Sequence, residues 1–246
     1  MANLRHIAFI SEEPPVLFDY CHHLFGMEKV RTSESGGIHV VDPLFNLAFL
    51  KQTRSEAEVV GTHRADGSEA DQRLGINHFG FIVDDVADLV ARLPEAVRFG
   101  DSPQNGRPAE VRVIDPWGNN FDLSSRGFLG REEARLPGIR FVAVHNDHPE
   151  EAAEFYGQVL GLRETRRSAE GAIRLTDGTV TLCVTTDQVL DRSGIQYFGI
   201  HAANWNTIAD RYRDLGVSLP SPHGPDDEVR MKDPEGNMFV LSAEGW

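Results

Sequence analysis

Apolar residues recur along this chain in two rhythms, and the order of the rhythms repeats. Leu4-Arg5-His6-Ile7-Ala8-Phe9 alternates every second position and reads as a strand. A stretch of helical period follows, from Pro14 to Phe25, and three strand-like runs come after it at about 29–32, 38–41 and 47–51. Ile139-Arg140-Phe141-Val142-Ala143-Val144 opens the same series again, with a helix over 149–160 and strands near 163–167, 172–175 and 179–185. Both helices begin on proline, whose missing N–H has no helical partner in the first turn. Both end on glycine, Gly26 and Gly161, which tolerates the left-handed cap.

Two further units match each other. Asn77-His78-Phe79-Gly80-Phe81 aligns with Gln196-Tyr197-Phe198-Gly199-Ile200, and helices are predicted over 86–93 and 205–215. Each unit closes on Asp-Pro-x-Gly-Asn, at Asp115–Asn119 and Asp233–Asn237, whose residues favour a tight turn between two strands. The pattern is thus strand-helix-strand-strand-strand written four times. A polar segment at 126–137 separates two halves, placing domains at 1–130 and 131–246. Residues 52–73 read as a polar connector between the first two units.

Composition narrows the partners. The 246 residues carry a formal net charge of −14, which repels nucleic acid and anionic membrane surfaces. No apolar run reaches the length of a membrane span and no signal-peptide pattern opens the chain, so a cytoplasmic protein is expected. Cys21 and Cys183 lie outside any metal or redox spacing and read as buried apolar residues.

Three ligand-type residues fall in equivalent strand frames of the first half: His6, His78 and Asp122. Two imidazoles and one carboxylate can hold a divalent metal on one face and leave positions open, the arrangement of non-haem Fe(II) oxygenases. His39, on a strand-like run of the same half, is a candidate acid/base. Arg112 and Asn120 flank the turn before Asp122 and are candidates for orienting substrate or the carboxylate, while His63, in the connector, could close over the site. Trp117 reads as a packing or interface residue.

Four βαβββ units in tandem pairs, with Asp-Pro-x-Gly-Asn before the last strand of the even units, resemble the vicinal oxygen chelate superfamily. That group includes glyoxalase I, bleomycin-resistance proteins, methylmalonyl-CoA epimerase, fosfomycin-resistance enzymes and extradiol ring-cleavage dioxygenases. The resemblance implies an α+β fold of two paired, cup-shaped half-barrel domains with metal ligands on first and last strands. Carried over, it gives His6 and His78 as first-strand ligands and Asp122 as the fourth-strand ligand, where the family usually has Glu. The matching position of unit one falls near Ala48 or Phe49, and the second half has Phe141, Tyr197 and Val240. The metal would therefore sit in the first half, unlike four-unit extradiol dioxygenases, whose metal lies in the later pair.

The resemblance implies a metal-dependent enzyme acting on a small molecule with adjacent oxygens. A dioxygenase using Fe(II) and O₂ comes first, with Mn(II), Zn(II), Co(II) or Ni(II) as other metals. A glyoxalase-like isomerase, epimerase or lyase is the alternative, a fosfomycin-type transferase shares the ligand types, and a drug-binding resistance protein would lack the ligands. A homo-oligomer is compatible with all of these readings.

Overall fold

The computed structural model describes residues 1–53, 74–100, 108–131, 133–190, 194–222 and 228–246. Its first half runs β1 (Asn3–Ser11), α1 (Pro14–Phe25), β2 (Glu28–Thr32), β3 (Ile38–Val41), β4 (Asn46–Lys51), β5 (Gly75–Ile82), α2 (Val86–Ala91), β6 (Arg98–Phe99), β7 (Val111–Ile114) and β8 (Asn120–Ser124). The second half runs β9 (Gly138–His145), α3 (Pro149–Leu160), β10 (Arg163–Arg167), β11 (Ile173–Thr176), β12 (Thr181–Thr185), β13 (Gly194–His201), α4 (Trp205–Asp214), β14 (Glu228–Lys232) and β15 (Met238–Ser242).

Each half is one mixed sheet. The first has the order β2-β3-β4-β1-β5-β8-β7-β6, and the second β10-β11-β12-β9-β13-β15-β14. The opening strands of paired units lie side by side and antiparallel, β1 on β5 and β9 on β13, while each closing strand returns parallel to its own opener. The unit pairs are therefore fused through their first strands, which puts His6 and His78 at the centre of one sheet.

Local chemistry fixes these elements. Gly26 and Gly161 take the left-handed cap at φ 71° and 73°, as the glycine punctuation predicts. Asp85 caps α2 by accepting from the Asp88 amide. That helix ends at Ala91, short of the predicted 93, because Leu93 precedes Pro94 and a residue before proline avoids the helical region. In the first Asp-Pro turn, Asp115 accepts from the amides of Trp117 and Asn119 at 3.0 and 2.8 Å, and Asp233 does the same for Glu235 and Asn237.

Alternation sorts the strand side chains between two faces. Leu4, Ile7 and Phe9 of β1, Phe79 and Phe81 of β5, and Phe121 and Leu123 of β8 enter one core that continues into the second half. There Phe9 meets Phe198 edge-on at 5.6 Å, and Phe79 meets Tyr156 at 6.4 Å. His6, His78 and Asp122 belong to the opposite face. Trp117 packs edge-on against Phe155 of the other half, a packing role as expected.

The halves are also joined by a reciprocal pair of buried ion pairs. Arg5 reaches Asp177 at 2.7 Å and Arg140 reaches Asp42 at 3.3 Å. The two pairs are equivalent by repeat, since Arg5 and Asp42 each recur 135 positions later (140−5 = 177−42). Both cysteines are free and buried, and burial pushes the Cys183 thiol up to about 11. No described helix is long and apolar enough to cross a membrane.

Candidate metal centre

The structure brings His6, His78 and Asp122 together: one ligand atom from each lies within 4.8 Å of the others, and all three side chains are buried. Gly80 is what permits the convergence. It is the cross-strand neighbour of His6 on one side and of Asp122 on the other. A Cβ there would fall 2.8 Å from the ring of Phe128 and 3.1 Å from the His6 Cβ, so any larger residue would push the ligand strands apart. Phe128 lies flat on the His6 imidazole, with ring centroids 4.8 Å apart.

Two asparagines orient the imidazoles. His6 Nδ1 lies 2.8 Å from Asn46 Oδ1, and His78 Nδ1 lies 2.8 Å from Asn77 Oδ1. The Asn46 amide nitrogen donates to the carbonyls of Val40 and Leu47, so its oxygen is the acceptor and His6 Nδ1 carries the proton. That tautomer leaves the Nε2 lone pair for a metal, the outer support that ligating histidines usually have. Burial, then the neighbouring His78, pushes the His6 pKa down to about 3, so the ring is the neutral imidazole a metal requires.

Asp122 has a stronger companion. Arg112 sits directly opposite it in the β7–β8 hairpin. Its Nε donates to Oδ1 at 2.7 Å and its Nη2 to Oδ2 at 3.0 Å, a bidentate fork. The same Nη2 lies 3.1 Å from His78 Nε2, and His78 Nε2 lies 3.3 Å from Asp122 Oδ2. Although burial opposes it, the His78 ring and the guanidinium hold the Asp122 carboxyl well below the usual carboxylate range. The donor set fits a divalent cation: the neutral His6 imidazole, the His78 ring and one ionised carboxylate, all three buried.

The remaining candidates divide. His39 lies on β3 opposite Ala48, close enough for its charge to disfavour protonation of His6. Ala48 stands beside Ala8 on the closing strand of unit one, as Asp122 stands beside Gly80 in unit two. It therefore offers a methyl group where a fourth ligand would be. Asn120 lies two residues before Asp122 on β8, and among the described residues it makes no hydrogen bond to the three. His63 lies outside the described residues. Asn46, Asn77 and Phe128 are contributors that the sequence reading missed. Arg112, a candidate in the sequence for orienting substrate or the carboxylate, lies on the Asp122 carboxylate.

The fold has many solved counterparts. A 2,3-dioxygenase LapB from Pseudomonas sp. KL28 is similar over 99% of this chain and 92% of its own, with a TM-score of 0.69 and 14% identity. A Mn(II)-bound glyoxalase from Novosphingobium aromaticivorans is similar over 99% of this chain and 82% of its own, with a TM-score of 0.74 and 14% identity. A catechol 2,3-dioxygenase reaches a TM-score of 0.65 at 16% identity, over 98% and 87% of the two chains. Residues 141–242 match the family model of the glyoxalase-like domain. A comparison with curated protein sequences finds no match. The second half thus carries a glyoxalase-like domain, and the whole chain shares the fold of these dioxygenases and this glyoxalase. The family match covers the half without the histidine-carboxylate cluster, so it identifies the module and not the site.

Proposed function

We propose that the protein is a divalent-metal-dependent dioxygenase acting on a catechol-like substrate with adjacent oxygens. One observation carries the reading: His6, His78 and Asp122 converge while Ala48 withholds a fourth ligand. His6 and His78 would hold the metal through Nε2, with their Nδ1 protons tied to Asn46 and Asn77, and Asp122 would supply the balancing charge. The metal would supply Lewis acidity to a chelated oxygen pair and, as Fe(II), reactivity toward O₂. Phe128 would keep water from the His6 side and present an apolar wall to a flat ring. His39, on the same face, is the acid/base candidate, able to accept a proton from a substrate hydroxyl. His63 and Asn120 stand as substrate-contact candidates.

Three protein ligands would leave room at a metal for a chelating substrate and for O₂. Solved structures of similar fold include both dioxygenases and a Mn(II)-bound glyoxalase, so a metal-dependent isomerase or lyase is the second reading. Oxygen uptake on a panel of catechols, with metal analysis of protein purified without an affinity tag, tests the choice. Oxygen consumption that requires Fe(II) and disappears in His78→Ala is the expected result. Full turnover of the true substrate under nitrogen would replace the dioxygenase with the glyoxalase-like reading.

A further inference from the structure

Two of the three ligand groups already share a cation, and it is part of the chain. Arg112 places Nε–H on Asp122 Oδ1 and Nη2 between Asp122 Oδ2 and His78 Nε2, at 2.7, 3.0 and 3.1 Å. A guanidinium nitrogen can only donate, so in this contact His78 Nε2 is the acceptor and offers its single lone pair. A single lone pair serves a hydrogen-bond donor or a metal, but not both. The carboxylate differs, because two oxygens with about four acceptor directions can keep one arginine bond while facing a metal.

We infer that Arg112 is a resident cation of the triad: it holds His78 and Asp122 in ligand geometry without a metal, and its Nη2 must leave before a metal can bind. The inference rests on the proposed metal-binding reading. Binding would then exchange one cation for another at preformed ligands and leave Nη2 beside the open positions, as a donor for an anionic oxygen of the substrate. A catecholate or a neighbouring carboxylate has that chemistry.

The surroundings support a seat made for this side chain. Gly100 packs against the arginine stem, where a Cβ would come within 2.9 Å of Cγ and 3.0 Å of Cδ. The Gly100 amide also donates to the Arg112 carbonyl at 3.1 Å. The repeat supplies the contrast. Arg230 holds the same hairpin register in the second half, but its cross-strand partner is Val240, which accepts nothing. The docked guanidinium therefore follows from Asp122 and His78 and not from the hairpin alone.

The test is Mn(II) titration of chelator-stripped protein by calorimetry, paired with thermal melts with and without Mn(II). Arg112→Met removes a unit charge within hydrogen-bond reach of the ligands, and Mn(II) should bind about tenfold more tightly or better. Its metal-free form should melt below wild type, because Asp122 loses its partner, and Mn(II) should raise its melting temperature more than it raises that of wild type. Arg112→Lys keeps the charge without the fork and should fall between the two. If it alone folds, binding tighter than wild type carries the inference and binding no tighter overturns it. Equal or weaker Mn(II) binding by Arg112→Met, with wild-type binding intact, would overturn the inference and leave the metal reading standing. If neither wild type nor variant binds Mn(II), both readings fall.

Discussion

The two cups share one strand order, apart from the short β6 at the edge of the first, and have opposite interiors. In the first, His6, His78 and Asp122 converge and Phe128 lies flat on His6. In the second, Phe141, Tyr197 and Val240 form a small apolar cluster, and Trp246 packs on Phe141 with ring centroids 4.9 Å apart. Phe128 lies 48 positions after Gly80 and Trp246 lies 47 after Gly199 (128−80 = 48 and 246−199 = 47), so the two rings hold matching places in the repeat. Each glycine lies under its aromatic ring, at a distance no Cβ could share. The difference between a ligand site and a packed core thus comes down to a few side chains on equivalent central strands.

Asp122→Ala should have the largest effect, because it removes a ligand and leaves the half-buried Arg112 without its acceptor. Breaking such a pair costs about 3 kcal/mol, so denaturant melts should show that loss while elemental analysis shows no bound metal. A variant that keeps its metal would mean that the carboxylate is not a ligand. Gly80→Ala and Gly199→Ala form the next pair. Each overpacks its own cup by about 1–3 kcal/mol, but only Gly80→Ala should also weaken metal binding. Equal metal affinity in the two variants would erase the distinction between the cups.

Trp246→Ala comes third. It empties part of the second cup and should destabilise by about 2 kcal/mol with no change in metal content or turnover. Any loss of metal would tie that cup to the first one's function. Arg230→Ala should have the smallest effect. Its side chain is exposed and its cross-strand neighbour is a valine, so stability should stay within about 0.5 kcal/mol of wild type by thermal melt and metal content should not move.

Much of this was legible in the sequence because the repeat is written in residues with few conformational options. Pro14 and Pro149 open helices, Gly26 and Gly161 close them, and Asp115 and Asp233 bind their own turn amides, so local chemistry alone sets the frame. Once that frame is fixed, His6 and His78 must meet, since the opening strands pair. The supports of the site were not legible in the same way. Asn46 reaches His6 across a parallel pairing 40 residues away, and Phe128 arrives from beyond the last strand, so both depend on tertiary packing. Arg112 lies between these cases. Its register opposite Asp122 follows from the turn, but hairpin geometry alone does not say that a guanidinium would choose the carboxylate over solvent, as the exposed Arg230 shows.

The reciprocal Arg5–Asp177 and Arg140–Asp42 pairs have a consequence for how such tandem chains can be recombined. Each half contributes one arginine and one aspartate to the seam, and all four are buried. A half moved into an unrelated tandem protein would bring both charges to a seam offering neither partner, at about 3–5 kcal/mol for each orphaned ion. A half paired with a second copy of itself would meet the same two charges in register, because the seam is self-complementary. Shuffling by duplication is therefore open to these modules while exchange between strangers is not, and a cup can change its contents without disturbing the join.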